Sequence, residues 1–241
     1  MTRIYLKRRP QSWTGELIGI LTLETSIPYV VGNVSNAGTY GFPVRYKAIG
    51  GASIDRLLNQ SDSSLLQPVL DAARELEREG VRAITGACGF MALFQREVSE
   101  ALSIPVCLSS LLQVPLVHTT TRRPVGIITA NSKRLNKAHL EACGIAADLP
   151  IIIRGMQDEP EFRSAVLEES GSLDSSAIEA EAVSVAATLI ADHPAIGAIV
   201  LECSDLPPYS KAIQTATDRP VFDYNTMIGW MVNGMCSRSY P

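Results

Sequence analysis

The sequence predicts an α/β fold of two pseudosymmetric domains, each a parallel sheet flanked by helices, with the active site in the interdomain cleft. Two observations predict it. Strand-like and helix-like segments alternate along the chain, as parallel layers require. The order of signals also recurs in the two halves. "IGIL" from Ile18 is answered by "VGII" from Val125, their glycines 107 positions apart (19 to 126). "RAITGACGF" is answered by "GAIVLECSD", which places Cys88 and Cys203 115 positions apart (88 to 203), and "IPV" ending at Val106 is answered by "RPV" ending at Val221 at the same spacing. A repeat this long points to two related domains; solenoid units are much shorter.

Taken in order, the apolar run 17–23 reads as the first core strand and 44–49 as a second. Between them, 27–43 ("IPYVVGNVSNAGTYGFP") is rich in Gly, Pro, Asn and Ser and long for a connection, a loop able to cover the cleft with Tyr40 reaching in. In 65–79, Leu66, Val69, Leu70, Ala73 and Leu76 recur at helical spacing, with charges on the opposite face. Strands follow at 81–85, 104–108, 125–129, 151–154, 196–201 and 221–223, with a second helical stretch at 177–191. The domains are placed at 1–117 plus 218–241, carrying Cys88, and at 118–217, carrying Cys203.

With 241 residues and 46% hydrophobic composition the chain can bury one large core or two smaller ones. Its 21 basic and 25 acidic residues give a net charge of −4 without a basic stripe, which argues against nucleic acid as a partner. Lys7-Arg8-Arg9 is followed by too short an apolar run for a convincing export signal, and no segment reaches the roughly 20 apolar residues needed to cross a bilayer. The five cysteines are scattered and odd in number, without a C-x-x-C pair, which fits a reducing, cytoplasmic compartment and argues against a disulfide framework or cysteine-rich zinc site. His118, His139 and His193 lack metal-ligand spacing, so no metal is expected.

Cys88 and Cys203 each fall at the carboxyl end of a predicted strand just before a helix, where open parallel sheets bind ligands. Free N–H groups at a helix amino end favour thiolate and can hold a carboxylate. Across a pseudo-twofold cleft, two such thiols would flank one substrate: one removes a proton next to a carboxylate, the other donates to the opposite face, and no cofactor is needed. The enolate needs donors; the N–H groups of Gly89, Phe90 and Ser204 and the Ser204 hydroxyl are candidates. Ser204 and Asp205 read as helix caps, ahead of Pro207 and Pro208 in a first helical turn. Glu24, after the first strand, orients a substrate amine or is simply solvated. Cys107, Cys143 and Cys236 have no repeat partner and read as packing.

"ITGACGF" with "FQ" shortly after it, "SSLLQVP" from Ser109, "GIITANS" from Gly126 and "AIVLECSDLPPYSKAIQTATDRPVFD" from Ala198 resemble the aspartate/glutamate/hydantoin racemase superfamily over nearly the whole chain. The resemblance implies a two-domain α/β fold, cofactor-independent chemistry, Cys88 and Cys203 as the acid/base pair, a last helix that crosses back to the first domain, and homodimers or higher homo-oligomers. It also implies that Thr129 and Asn131 of "ITANS" meet the substrate carboxylate. The main expectation is a racemase acting on an amino acid or related small carboxylate. The alternative is β-elimination, because the "ITG-x-CGFM" and "LEC-x-x-LPPYS" patterns resemble algal dimethylsulfoniopropionate lyases more closely than glutamate racemases, which carry Asn-Thr and Thr-His where this chain has Gly89-Phe90 and Ser204-Asp205. A hydantoin racemase or a non-catalytic small-acid binding protein are further alternatives.

Overall fold

A computed structural model describes residues 12–237; the Lys7-Arg8-Arg9 cluster lies outside them. Among the described residues, eight strands form two parallel four-stranded sheets. The first contains β1 (Ile18–Thr22), β2 (Val44–Ala48), β3 (Ala83–Gly86) and β4 (Val106–Cys107) in the order β2-β1-β3-β4. The second contains β5 (Val125–Thr129), β6 (Ile151–Gly155), β7 (Ala198–Leu201) and β8 (Val221–Phe222) in the order β6-β5-β7-β8. The internal repeat is a repeat of register. Ile18 faces Val44 and Ala83 in the first sheet, and Val125 faces Ile151 and Ala198 in the second.

Among the described residues, eight α-helices connect and flank the sheets: α1 (Leu66–Glu79), α2 (Gln95–Ala101), α3 (Val114–Thr121), α4 (Lys137–Ala142), the single turn α5 (Pro160–Phe162), α6 (Ser175–Asp192), α7 (Ser210–Thr217) and α8 (Tyr224–Met235). Helix α1 buries Val69, Ala73 and Leu76, and stops at Gly80, whose left-handed conformation (φ 92°) lets its N–H reach the carbonyls of Leu76 and Glu77. Asp174 starts α6 by accepting from the N–H groups of Ser176 and Ala177. The glycines that signalled the repeat serve close packing. A Cβ on Gly19 would lie 2.9 Å from Leu76 Cδ1 of α1, and one on Gly126 would lie 2.9 Å from Leu189 Cδ2 of α6.

One large apolar cluster runs through both halves and a smaller one lies on the other face of the first sheet. The smaller cluster joins Ile18, Ile20 and Ala83 to Tyr224, Met227, Ile228 and Met231 of α8, and the buried Tyr224 hydroxyl donates to Leu108 O at 2.9 Å. The last helix therefore packs against the first sheet. Strand β8 still pairs with β7 in the second sheet, and the crossover follows Phe222. The boundary expected at 117/118 falls inside α3, which packs against β5 and β7. Each half thus sends its final helix onto the other's sheet, which ties the two together.

Candidate active site

The carboxyl ends of β1, β3, β5 and β7 bound a cavity with about 40 Å³ of room for water-sized spheres. That is space for about three waters. Cys88 and Cys203 both line it, with Ala87, Gly89 and Phe90 beside the first and Glu202, Ser204 and Asp205 beside the second. Ile27 and Tyr29 reach in from the long loop after β1. Two π-helical turns supply apolar lining at matching positions of the repeat: Asp55–Asn59, with Ile54 and Leu58, and Arg163–Leu167, with Val166 and Leu167. Such turns are rare and concentrate at functional sites.

Local hydrogen bonding fixes both thiols. Cys88 is extended (φ −158°) and caps the 3-10 helix Gly89–Phe94, which continues into α2. Burial raises its pKa, the Glu202 carboxyl raises it further, and the N–H groups of Phe90 and Met91, hydrogen-bonded to it, pull the other way. Cys203 lies in a turn four residues ahead of the 3-10 helix Pro207–Tyr209, so it is not itself a helix cap. Burial raises its pKa well above the ordinary thiol value; Asp205 and Glu202 add to this and the Asp205 N–H opposes it. The Cys203 thiol donates to Asp205 Oδ2 at 3.6 Å, while Asn33 Nδ2 holds Oδ1 at 2.7 Å. Burial raises the Asp205 pKa as well, against these two hydrogen bonds.

The two cysteine turns touch each other. Ser204 Oγ donates to Ala87 O at 2.7 Å, and a Cβ on Gly89 would lie 2.0 Å from Glu202 Oε1 and 2.4 Å from Glu202 O. Position 89 therefore admits only glycine without displacement. Nearby, Ser110 Oγ donates to Leu201 O at 2.7 Å, a further buried link between the halves.

Of the residues singled out in sequence, Cys88, Cys203, Gly89, Phe90 and Ser204 line the cavity and four do not. The Ser204 hydroxyl, expected to face a substrate, is directed to Ala87 O. Thr129 is fully buried beneath the cavity and donates to Glu202 Oε2 at 2.7 Å, so it holds a side chain and not a ligand. Asn131 Oδ1 accepts from the Lys133 N–H, an Asx turn that spends its carbonyl on the local backbone. Glu24 is exposed; its neighbours Leu23 and Thr25 take the cavity wall. Tyr40 packs on Phe42 and the smaller core, and its hydroxyl donates to Val34 O at 3.0 Å. The tyrosine that reaches the cavity is Tyr29, hydrogen-bonded to Thr25.

Three ionisable lining residues, Tyr29, Glu202 and Asp205, are not among the site residues read from the sequence. Tyr29 carried no periodic signal. Glu202, a carboxyl closing an otherwise apolar strand, was the visible anomaly. Asp205, read as a helix cap, caps nothing; the residue before the 3-10 helix is Leu206. The loop that brings Tyr29 inward is itself pinned to the second half. Gly32 (φ 103°) packs against Pro208, where a Cβ would lie 2.9 Å from Pro208 Cα, Asn225 Nδ2 donates to Gly32 O at 2.9 Å, and Glu169 accepts the Ser26 N–H at 2.8 Å. Among the described residues no group of three His, Cys, Asp or Glu side chains is placed to hold a metal, and no helix is long and apolar enough to cross a membrane.

The chain is similar to known proteins in sequence and in fold. It is 32% identical over 225 residues to a dimethylsulfoniopropionate lyase of Durusdinium sp. clade D, covering 90% of this chain and 74% of that one. It is 30% identical over 226 residues to dimethylsulfoniopropionate lyase 3 of Emiliania huxleyi (strain CCMP1516), covering 89% of this chain but spanning only 58% of that relative's length. Among solved structures, a glycine-to-cysteine mutant of arylmalonate decarboxylase in a sulfate-associated form superposes with a TM-score of 0.61 at 17% identity, over 93% of this chain and 96% of that one. A glutamate racemase isoform from Bacillus anthracis gives 0.56 at 15% identity, over 91% and 82%; at such identities the likeness is one of fold. The family model described as Asp/Glu/Hydantoin racemase matches residues 44–232, and this chain belongs to that family.

Proposed function

We propose that the chain is a cofactor-independent lyase that removes the α-proton of a small carboxylate carrying a sulfonium group on its β-carbon, of which dimethylsulfoniopropionate is the type. The observation that carries this reading is the charge of the cavity. Glu202 and Asp205 line it, and among its lining residues there is no Lys, Arg or His. A dicarboxylate would meet the Asp205 carboxylate with no cationic side chain to offset it, whereas a zwitterion brings its own positive charge. The apolar side chains of the π-helical turns and the Tyr29 ring suit a methylated cation better than an ammonium group, which would need acceptors for three N–H donors.

In this mechanism Asp205 takes the Cys203 proton as the cation binds and offsets the charge of the pair. The Cys203 thiolate then takes the α-hydrogen, the C–H electron pair becomes the Cα=Cβ bond, and the Cβ–S bond breaks with its electrons on sulfur. The products are acrylate, dimethyl sulfide and one proton, which leaves through the thiol. The sequence relatives that bear the lyase name support this outcome over racemisation.

Racemisation of a small amino acid is the second reading, because Cys88 lines the same cavity and elimination requires only one base. Purified protein given dimethylsulfoniopropionate should release dimethyl sulfide to the headspace with an equal amount of acrylate. Amino acids incubated with it in deuterium oxide should keep their α-hydrogen and handedness. Inversion with deuterium uptake, and no thioether, would replace the lyase by the racemase.

A further inference from the structure

We infer that Glu202 is a catalytic residue that works as a neutral acid, its Oε1 hydroxyl donating a hydrogen bond to the carboxylate of the bound ligand and to the enolate formed from it. The inference rests on the reading that the cavity takes a small carboxylate, and does not depend on which bond breaks afterwards.

Three observations lead to it. Glu202 follows β7, is fully buried and lines the cavity. Its Oε2 accepts from Thr129 Oγ1 at 2.7 Å, so Oε2 is the acceptor oxygen and the proton of the neutral acid belongs on Oε1. Oε1 is buried without a hydrogen-bond partner and rests against Gly89, beside Cys88. Buried polar atoms are nearly always partnered, so an orphan on a side chain that lines the cavity marks a place for a ligand atom.

Charge decides which ligand atom. A ligand carboxylate finds no cationic side chain in this cavity, and an ionised Glu202 would repel it. A neutral carboxylic acid in the same place is a strong donor, and such acids are kept neutral by apolar surroundings. Burial pushes the Glu202 pKa up to about 7, against the hydrogen bonds from Thr129 and Ala130. The titratable groups around it are Cys203 and Asp205 on its own turn, Cys88 after β3, Cys143 after α4 and Tyr224 on α8. None is cationic, so none draws the proton off Glu202.

The test is the binding of propionate, a carboxylate that cannot eliminate, followed by calorimetry from about pH 6 to about pH 8.5 in buffers of different ionisation heat. As pH rises above about 7, the wild-type protein should take up a proton on binding and its affinity should fall toward tenfold per pH unit. Glu202→Gln keeps a donor at the Oε1 position; it should bind within about threefold of wild type at low pH, without that proton uptake and without that decline. Glu202→Leu should lose about tenfold or more. Wild-type binding that is independent of pH, no propionate binding at any pH, or a Gln variant with unchanged proton uptake would each overturn the inference. Intact pH-linked binding without release of dimethyl sulfide would instead reject elimination and leave the role of Glu202 standing.

Discussion

The two cysteine turns share a place in the repeat, and both thiols are buried near Glu202, but only one of them has a carboxylate as a hydrogen-bond partner. Cys88 is followed at once by a helix of Phe90, Met91, Leu93 and Phe94, and although Glu202 lies near its sulfur, the groups that favour its thiolate are backbone N–H groups. Cys203 stands between two carboxyl groups, with Asp205 Oδ2 3.6 Å from its sulfur. The backbone is pseudosymmetric and the side chains hydrogen-bonded to the two sulfurs are not. A racemase must exchange protons with both faces of its substrate, so its two thiols need comparable means of losing one. A site with a proton acceptor on one side is better matched to a reaction that runs one way, with a proton taken once and then discarded.

Variants that disturb one turn and spare the other sharpen this contrast. The largest effect is expected for Cys203→Ala, which removes the proposed base and should lower the rate of dimethyl sulfide release by about 10⁴-fold. Gly89→Ala comes next. The added methyl would collide with Glu202 Oε1 and O across the junction, and the forced displacement of both turns should cost about 1–3 kcal/mol in denaturant unfolding and about 100-fold in rate. Asp205→Asn keeps the shape and can still pair with Asn33, but cannot take the thiol proton; a loss of about 10- to 100-fold in kcat with the fold intact is expected. Cys88→Ala should have the smallest effect, about tenfold or less, because its sulfur is needed by the racemase alone. A loss as large as that of Cys203→Ala would restore the symmetric reading.

Much of the framework was legible because it rests on periodicity. The apolar run 125–129 is β5 to the residue, the helical spacing at 65–79 is α1 within one residue, and the glycine pair of the repeat proved to be the place where each half presses a helix onto its central strand. The position of the crossover was not legible, since "RPVFD" reads as a strand in either sheet and only pairing to β7 assigns it. The site was half legible for a related reason. Repetition marks Cys88 and Cys203, but the residues that distinguish them break the repeat. Whether Glu202 points inward depends on the approach of Gly89 from the other half, a contact between positions 113 apart (89 to 202) that leaves no local trace. Likewise, Tyr29 enters the cavity and Tyr40 leaves it because the loop is folded by its own side chains: Asn33 and Asn36 accept neighbouring N–H groups, and Thr39 bridges to Asn33 O.

The most direct test of the asymmetry is the initial rate of dimethyl sulfide release by Cys88→Ala and Cys203→Ala, assayed side by side at saturating substrate. The Cys88 variant should remain active at a rate about 10³-fold or more above the Cys203 variant. Equal rates, or a reversed order, would contradict the assignment of the base to the turn that carries Asp205.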